Sequence, residues 1–93
     1  MVVGTLRIDL HLPSSDSLKA KRSVVNHLKE RLRTRFNVSV AEVDHQDLWQ
    51  RAAIGVAAVS GDGGVLDRLL REILSVVERE DRVTVLDYQI RVE

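Results

Sequence analysis

The sequence predicts an α+β domain with element order β-α-β-β-α-β, and three observations carry that prediction. Residues 2–12 and 82–92 alternate apolar and polar side chains, the period of a half-buried strand. Residues 17–36 and 64–79 place apolar side chains three and four apart, which draws a single stripe along a helix. Turn-forming residues separate these segments: Pro13 with the Ser and Asp residues after it, the run Gly61-Asp62-Gly63-Gly64, and Glu80-Asp81.

In the first strand Val2, Gly4, Leu6, Ile8, Leu10 and Leu12 share one face, opposite Val3, Thr5, Arg7, Asp9 and His11. Pro13 cannot donate to a ladder, and Asp16 or Ser17 supplies an N-cap for the helix over 17–36. Its apolar stripe is Leu18, Val24, Val25, Leu28, Leu32 and Phe36, and Asn37 can stop it in a left-handed conformation. Residues 37–44 read as a second strand and the polar run 44–47 as a turn. Residues 50–60, apolar on both faces, read as a central third strand. In the second helix Leu66, Leu69, Leu70, Ile73 and Val77 line up. In the last strand Leu86, Tyr88, Ile90 and Val92 point inward. Two helices on one face of a four-stranded antiparallel sheet make a ferredoxin-like βαββαβ sandwich, with the other sheet face open.

Ninety-three residues fit one domain, expected to span 1–93. With no Cys, disulfides, thiolate metal sites and Cys nucleophiles are excluded. The N-terminal stretch lacks the basic start of a signal peptide, and no apolar run approaches the ~20 residues of a membrane span. A cytoplasmic protein with no membrane partner is the expectation.

Formal net charge is zero, but its distribution is uneven. Residues 17–36 carry Lys19, Lys21, Arg22, Lys29, Arg31, Arg33 and Arg35 against one acid, Glu30. That segment holds +6, and the rest of the chain holds −6. Such a row of cations can neutralise phosphates, the sequence-independent part of nucleic-acid affinity. A solvated helix face explains the same residues with no partner.

Three segments are distinctive in combination: Ser17-Leu18-Lys19-Ala20-Lys21-Arg22-Ser23-Val24, Phe36-Asn37-Val38-Ser39-Val40-Ala41-Glu42-Val43 and Asp47-Leu48-Trp49-Gln50-Arg51-Ala52. Over essentially the whole chain they resemble the YlxP-like family, small bacterial proteins uncharacterised as a group. Ala20 departs from the acid often found there, which would complete a capping box with Ser17. The resemblance implies a ferredoxin-like fold and a genomic association with translation-initiation and ribosome-maturation genes. It implies no catalytic residues.

The open sheet face is the second candidate surface. Ala53, Gly55, Ala57 and Val59 make a small apolar strip flanked by Thr5, Arg7, Gln89 and Arg91. Trp49 shares the parity of Ala53, so it either edges this face or plugs the core. A homodimer contact is expected here, with a monomeric exposed sheet as the alternative. No aromatic residue lies mid-strand on that face, so base stacking on the sheet, as RNA-recognition modules practise it, is not expected.

Glu42, Asp44, His45 and Asp47 are the densest set of metal-ligand types, but a polar turn explains them equally and no metal is expected. The loop 60–64 could cradle an anion, but it matches no phosphate-binding spacing and reads better as a helix cap. Asp9 and His11 beside Arg7 read as surface neighbours, and no phosphate loop carrying Arg follows the first strand. The sequence therefore points to a non-enzymatic binding domain with no cofactor, RNA- or ribosome-associated through its basic first helix. An ACT-like small-molecule-sensing or self-associating dimer is the alternative, and a small enzyme of unknown reaction the third.

Overall fold

The chain winds strand, helix, two strands, helix, strand: β1 (Val2–His11), α1 (Leu18–Arg35), β2 (Ser39–Asp44), β3 (Arg51–Ser60), α2 (Gly63–Glu78) and β4 (Thr84–Val92). The computed structural model describes residues 1–93. The strands lie in the order β2-β3-β1-β4, every neighbouring pair antiparallel. This is the ferredoxin-like arrangement that the element order predicts, and each element falls within two residues of its expected ends.

The core forms where the strand alternation meets the helical stripes. Leu6, Ile8 and Leu10 of β1 and Ala52, Ile54 and Val56 of β3 face Val25, Leu28 and Leu32 of α1 and Leu70, Ile73 and Val77 of α2. Gly4 lets α2 approach β1 closely, since a Cβ there would lie 3.0 Å from Leu70 Cδ1. Ser17 caps α1, its Oγ accepting from the Ala20 N–H at 3.0 Å. Asp62 caps α2, accepting from the Gly64 N–H at 2.8 Å.

Two sequence expectations about the backbone are corrected. Asn37 does not take a left-handed conformation: α1 ends as Phe36 turns extended, and His45, at φ 61, is the one non-glycine residue with positive φ. Leu86 does not point inward. The β1–β4 register slips between Asp9 and Leu10, which pair with Asp87 and Val85. Leu86 is the extra residue of that bulge and lies exposed, while Val83 and Val85 take over the inward side. Strict alternation cannot reveal an inserted residue.

Candidate functional site

The basic helix resolves into three groups with different fates. Lys21 is corrected outright: it is fully buried, at 0% exposure. It sits on the same stripe as Val25, Leu28 and Leu32, at the spacing i, i+4, i+7, i+11, so the helix carries it inward with the core. Its Nζ donates to Glu42 Oε2 at 2.9 Å and to the carbonyls of His45 at 2.8 Å, Gln46 at 3.0 Å and Arg51 at 3.3 Å. A buried ammonium is tolerated only with this degree of partnering. Lys21 is thus the clamp of the β2–β3 connection and has no capacity left for a phosphate.

Arg31, Arg33 and Arg35 are spent, in part, on the protein itself. Arg31 Nη1 lies 3.7 Å from Glu80, and Arg35 Nη2 lies 4.0 Å from Glu72. Both acids belong to the segment after β3, so some of the chain's remaining negative charge does fold back onto α1. Arg35 also sits over the Phe36 ring, 5.4 Å from its centroid. Arg33 Nη2 donates to the Val40 carbonyl at 2.8 Å and ties α1 to β2.

Lys19, Arg22 and Lys29 form the third group. None has an acid within 4.0 Å, and none makes a side-chain hydrogen bond. They lie along one side of α1 over ~15 Å at 1.5 Å per residue.

Glu80 joins this electrostatic layer from the α2–β4 turn. It accepts from Arg82 Nε at 2.8 Å and stands near Arg31 and His27. The Arg82 hydrogen bond, outweighing partial burial, holds its carboxyl below the ordinary 4.5. A group depressed in the folded state binds more protons when unfolded. Its stabilisation is therefore complete above pH 4.5 and is lost as pH falls through the lower folded value. Glu80→Gln should flatten the decline in urea midpoint below pH 4.5 while leaving a residual slope from Asp44. An unchanged decline in the variant would show that Glu80 does not contribute.

The open sheet face is smaller than its sequence suggests, because a second bulge folds over it. Glu42 pairs with Ile54 and Asp44 with Ala53, leaving Val43 as the extra residue. Glu42 therefore faces the helices and meets Lys21, while both Val43 and Asp44 reach the open side. Val43 leans across Gly55, where a Cβ would stand 2.8 Å from Val43 Cγ1. Ala53, expected in the exposed strip, is at 0% exposure. What remains open is Ala57 and Val59, with Val3 paired directly opposite Val59.

Beside the bulge Arg7 donates to Asp9 at 3.2 Å and to Asp44 at 3.3 Å, and His45 Nε2 lies 3.8 Å from Asp9. The His45 backbone N–H and then Arg7 lower the Asp44 carboxyl, and the two carboxylates raise Arg7. Three of the four metal-ligand types of the turn have separate protein partners, although the His45 ring also lies 3.9 Å from Asp44. Glu42 goes to Lys21, Asp44 to Arg7 and the His45 N–H, and His45 towards Asp9. The face forms an open concavity of ≈ 540 Å³ bordered by Arg7, Val43, Gly55, Ala57, Gln89 and Arg91. In the loop 60–64 the Gly64 N–H already serves the Asp62 cap, which leaves it unavailable to an anion.

Trp49 is not a core plug. It is 55% exposed in the β2–β3 connection, next to Leu48 at 48%. Composition could not place it, since parity fails across a turn. Lys21 left a readable signal, because its position on the Val25-Leu28-Leu32 stripe follows from spacing alone.

A family model described as "Protein of unknown function (DUF503)" matches residues 3–90. The chain belongs to this family. Among curated proteins it is similar to "Uncharacterized protein YlxP" of Bacillus subtilis (strain 168), 32% identical over 77 residues, which cover 83% of this chain and 84% of that protein. The YlxP-like resemblance of the sequence is therefore shown. No helix is long and apolar enough to cross a membrane.

Proposed function

We propose that the domain binds RNA through the exposed side of α1, with Lys19, Arg22 and Lys29 as the phosphate-contacting residues. The observation that supports this reading is their lack of any acidic partner in a chain of zero net charge, while Arg31 and Arg35 on the same helix each lie within 4.0 Å of an acid. Unpaired cations along a helix present a positive field that a polyanion can meet without first breaking an internal pair. Arg33 and Arg35 border the stripe and extend it weakly, since each already has a partner. The reading is of a binding domain without catalysis. Oligoribonucleotide binding at low salt by the wild type and by the Lys19→Gln, Arg22→Gln, Lys29→Gln variant tests it. Weaker binding by the variant, with an unchanged melting temperature, is expected, and equal affinities would contradict it.

A second reading concerns self-association. Val3 and Val59 form an exposed cross-strand apolar pair, continuous with Ala57 on the open face. Small exposed apolar surfaces of this kind suit a two-fold contact between copies. Of the residues in the original strip, Ala57 and Val59 carry this reading. Gly55 contributes only through Val43, and Trp49 lies beyond the strand in the preceding loop. Ala57→Glu should convert a dimer to a monomer in light scattering without lowering the melting temperature. A wild type that stays monomeric at high concentration would remove the idea.

A further inference from the structure

The β2–β3 connection combines two properties that rarely occur together: it is firmly held, and it exposes its largest apolar side chains. Lys21 grips it on both sides, through the His45 and Gln46 carbonyls at its start and the Arg51 carbonyl at its end. The Leu48 N–H donates to the His45 carbonyl at 3.0 Å. Gln50 is fastened to the β1–α1 loop, its side chain donating to Pro13 and Ser15 and its carbonyl accepting from the Leu12 N–H at 2.9 Å. Flexibility therefore does not explain the exposure of Leu48 and Trp49. The connection holds the backbone on both sides of Trp49 and leaves the indole exposed.

The same clamp ties the connection that carries Trp49 to the first turns of α1. Lys19 and Arg22 lie within one turn of Lys21 but about 160° and about 100° around the helix from it, on its solvent side, and the Lys21 ammonium sits among the backbone carbonyls of the connection. The first two turns of α1 and the Trp49 loop thus occupy one end of the molecule. An exposed indole at the same end of the molecule as unpaired cations supplies what single-stranded nucleic-acid sites use, a π-face for a base and positive charge for its phosphates. The sheet face itself offers no such partner, because Tyr88 pairs with Ile8 and so lies on the helix side.

We propose that Trp49 is a stacking platform for an unpaired base of a single-stranded RNA whose phosphates run onto Lys19 and Arg22. This rests on the RNA-binding reading of α1 and adds to it a preference for single strands. Trp49 is the only Trp in the chain, so its fluorescence reports on this site alone. The experiment titrates the full chain with oligouridylate and with an RNA duplex of equal length, following Trp49 emission, and measures affinity for Trp49→Ala and Trp49→Phe by anisotropy of a labelled strand.

The expected result is quenching by the single strand well beyond that by the duplex, and an affinity lower by about tenfold to a hundredfold in Trp49→Ala. Trp49→Phe, which keeps a π-face, should recover much of the loss. Wild-type binding with unchanged emission, and equal affinity in Trp49→Ala, would overturn the stacking site while leaving the helix reading in place. No binding by the wild type at low salt would overturn both.

Discussion

Lys21→Met should destabilise the protein by about 3–5 kcal/mol, the usual consequence of removing one partner from a buried charge pair. A domain of this length has a folding free energy on the order of 5–10 kcal/mol, so the variant is expected to be partly unfolded at physiological temperature. The physical cause is on the other side of the contact. Glu42 keeps a carboxylate at 15% side-chain exposure with no cation, and the carbonyls of His45, Gln46 and Arg51 lose their shared donor. Replacing both charges, as in Lys21→Met with Glu42→Leu, removes the stranded carboxylate and should recover part of the loss. Recovery should stop short of the wild type, because the three carbonyls remain unserved. Urea denaturation of the two single variants and the double variant measures the coupling. A Lys21→Met protein as stable as the wild type would contradict the clamp.

How far the sequence carries depends on whether a feature follows from periodicity or from a contact between distant elements. The six elements follow from periodicity: alternation in β1, the 3–4 spacing of both helices and the Gly-rich break before α2 gave their order and ends. The two bulges do not, since each inserts one residue and reverses parity beyond it. Leu86 is misjudged for that reason, whereas Ala53 keeps its expected face but, paired with Asp9 and Asp44, is covered there.

Charge was legible as a sum and illegible as a surface. Seven basic residues in one segment are visible at once, but which of them remain free depends on Glu72, Glu80, Glu42 and the Val40 carbonyl, all on other elements. Only Lys21 was open to inference. Burial of its stripe could be read from the spacing, and Glu42 was available in the next strand as a counter-ion. The exposure of Trp49 on a held backbone had no sequence signal, because it depends on a lysine that holds the loop from beneath.

The salt dependence of binding discriminates between an electrostatic helix surface and an inert one. Each phosphate neutralised on a single strand contributes a slope of about −0.7 in log affinity against log salt. Loss of three contacts in the Lys19→Gln, Arg22→Gln, Lys29→Gln variant should therefore flatten the slope by about two units. These three side chains make no internal hydrogen bond or ion pair, so the variant should keep its fold and its Lys21 clamp. Arg33 is excluded from the set because its bond to Val40 would mix a structural effect with a binding one.

The most direct test of the central claim is the affinity for a labelled oligoribonucleotide at 50 and 200 mM salt, for the wild type and this triple variant, over a range for which about a fourfold change in salt is enough. The wild type should lose roughly 20-fold more affinity than the variant across that interval. Parallel salt dependences for the two proteins, or no binding by the wild type even at the lower salt, would contradict it.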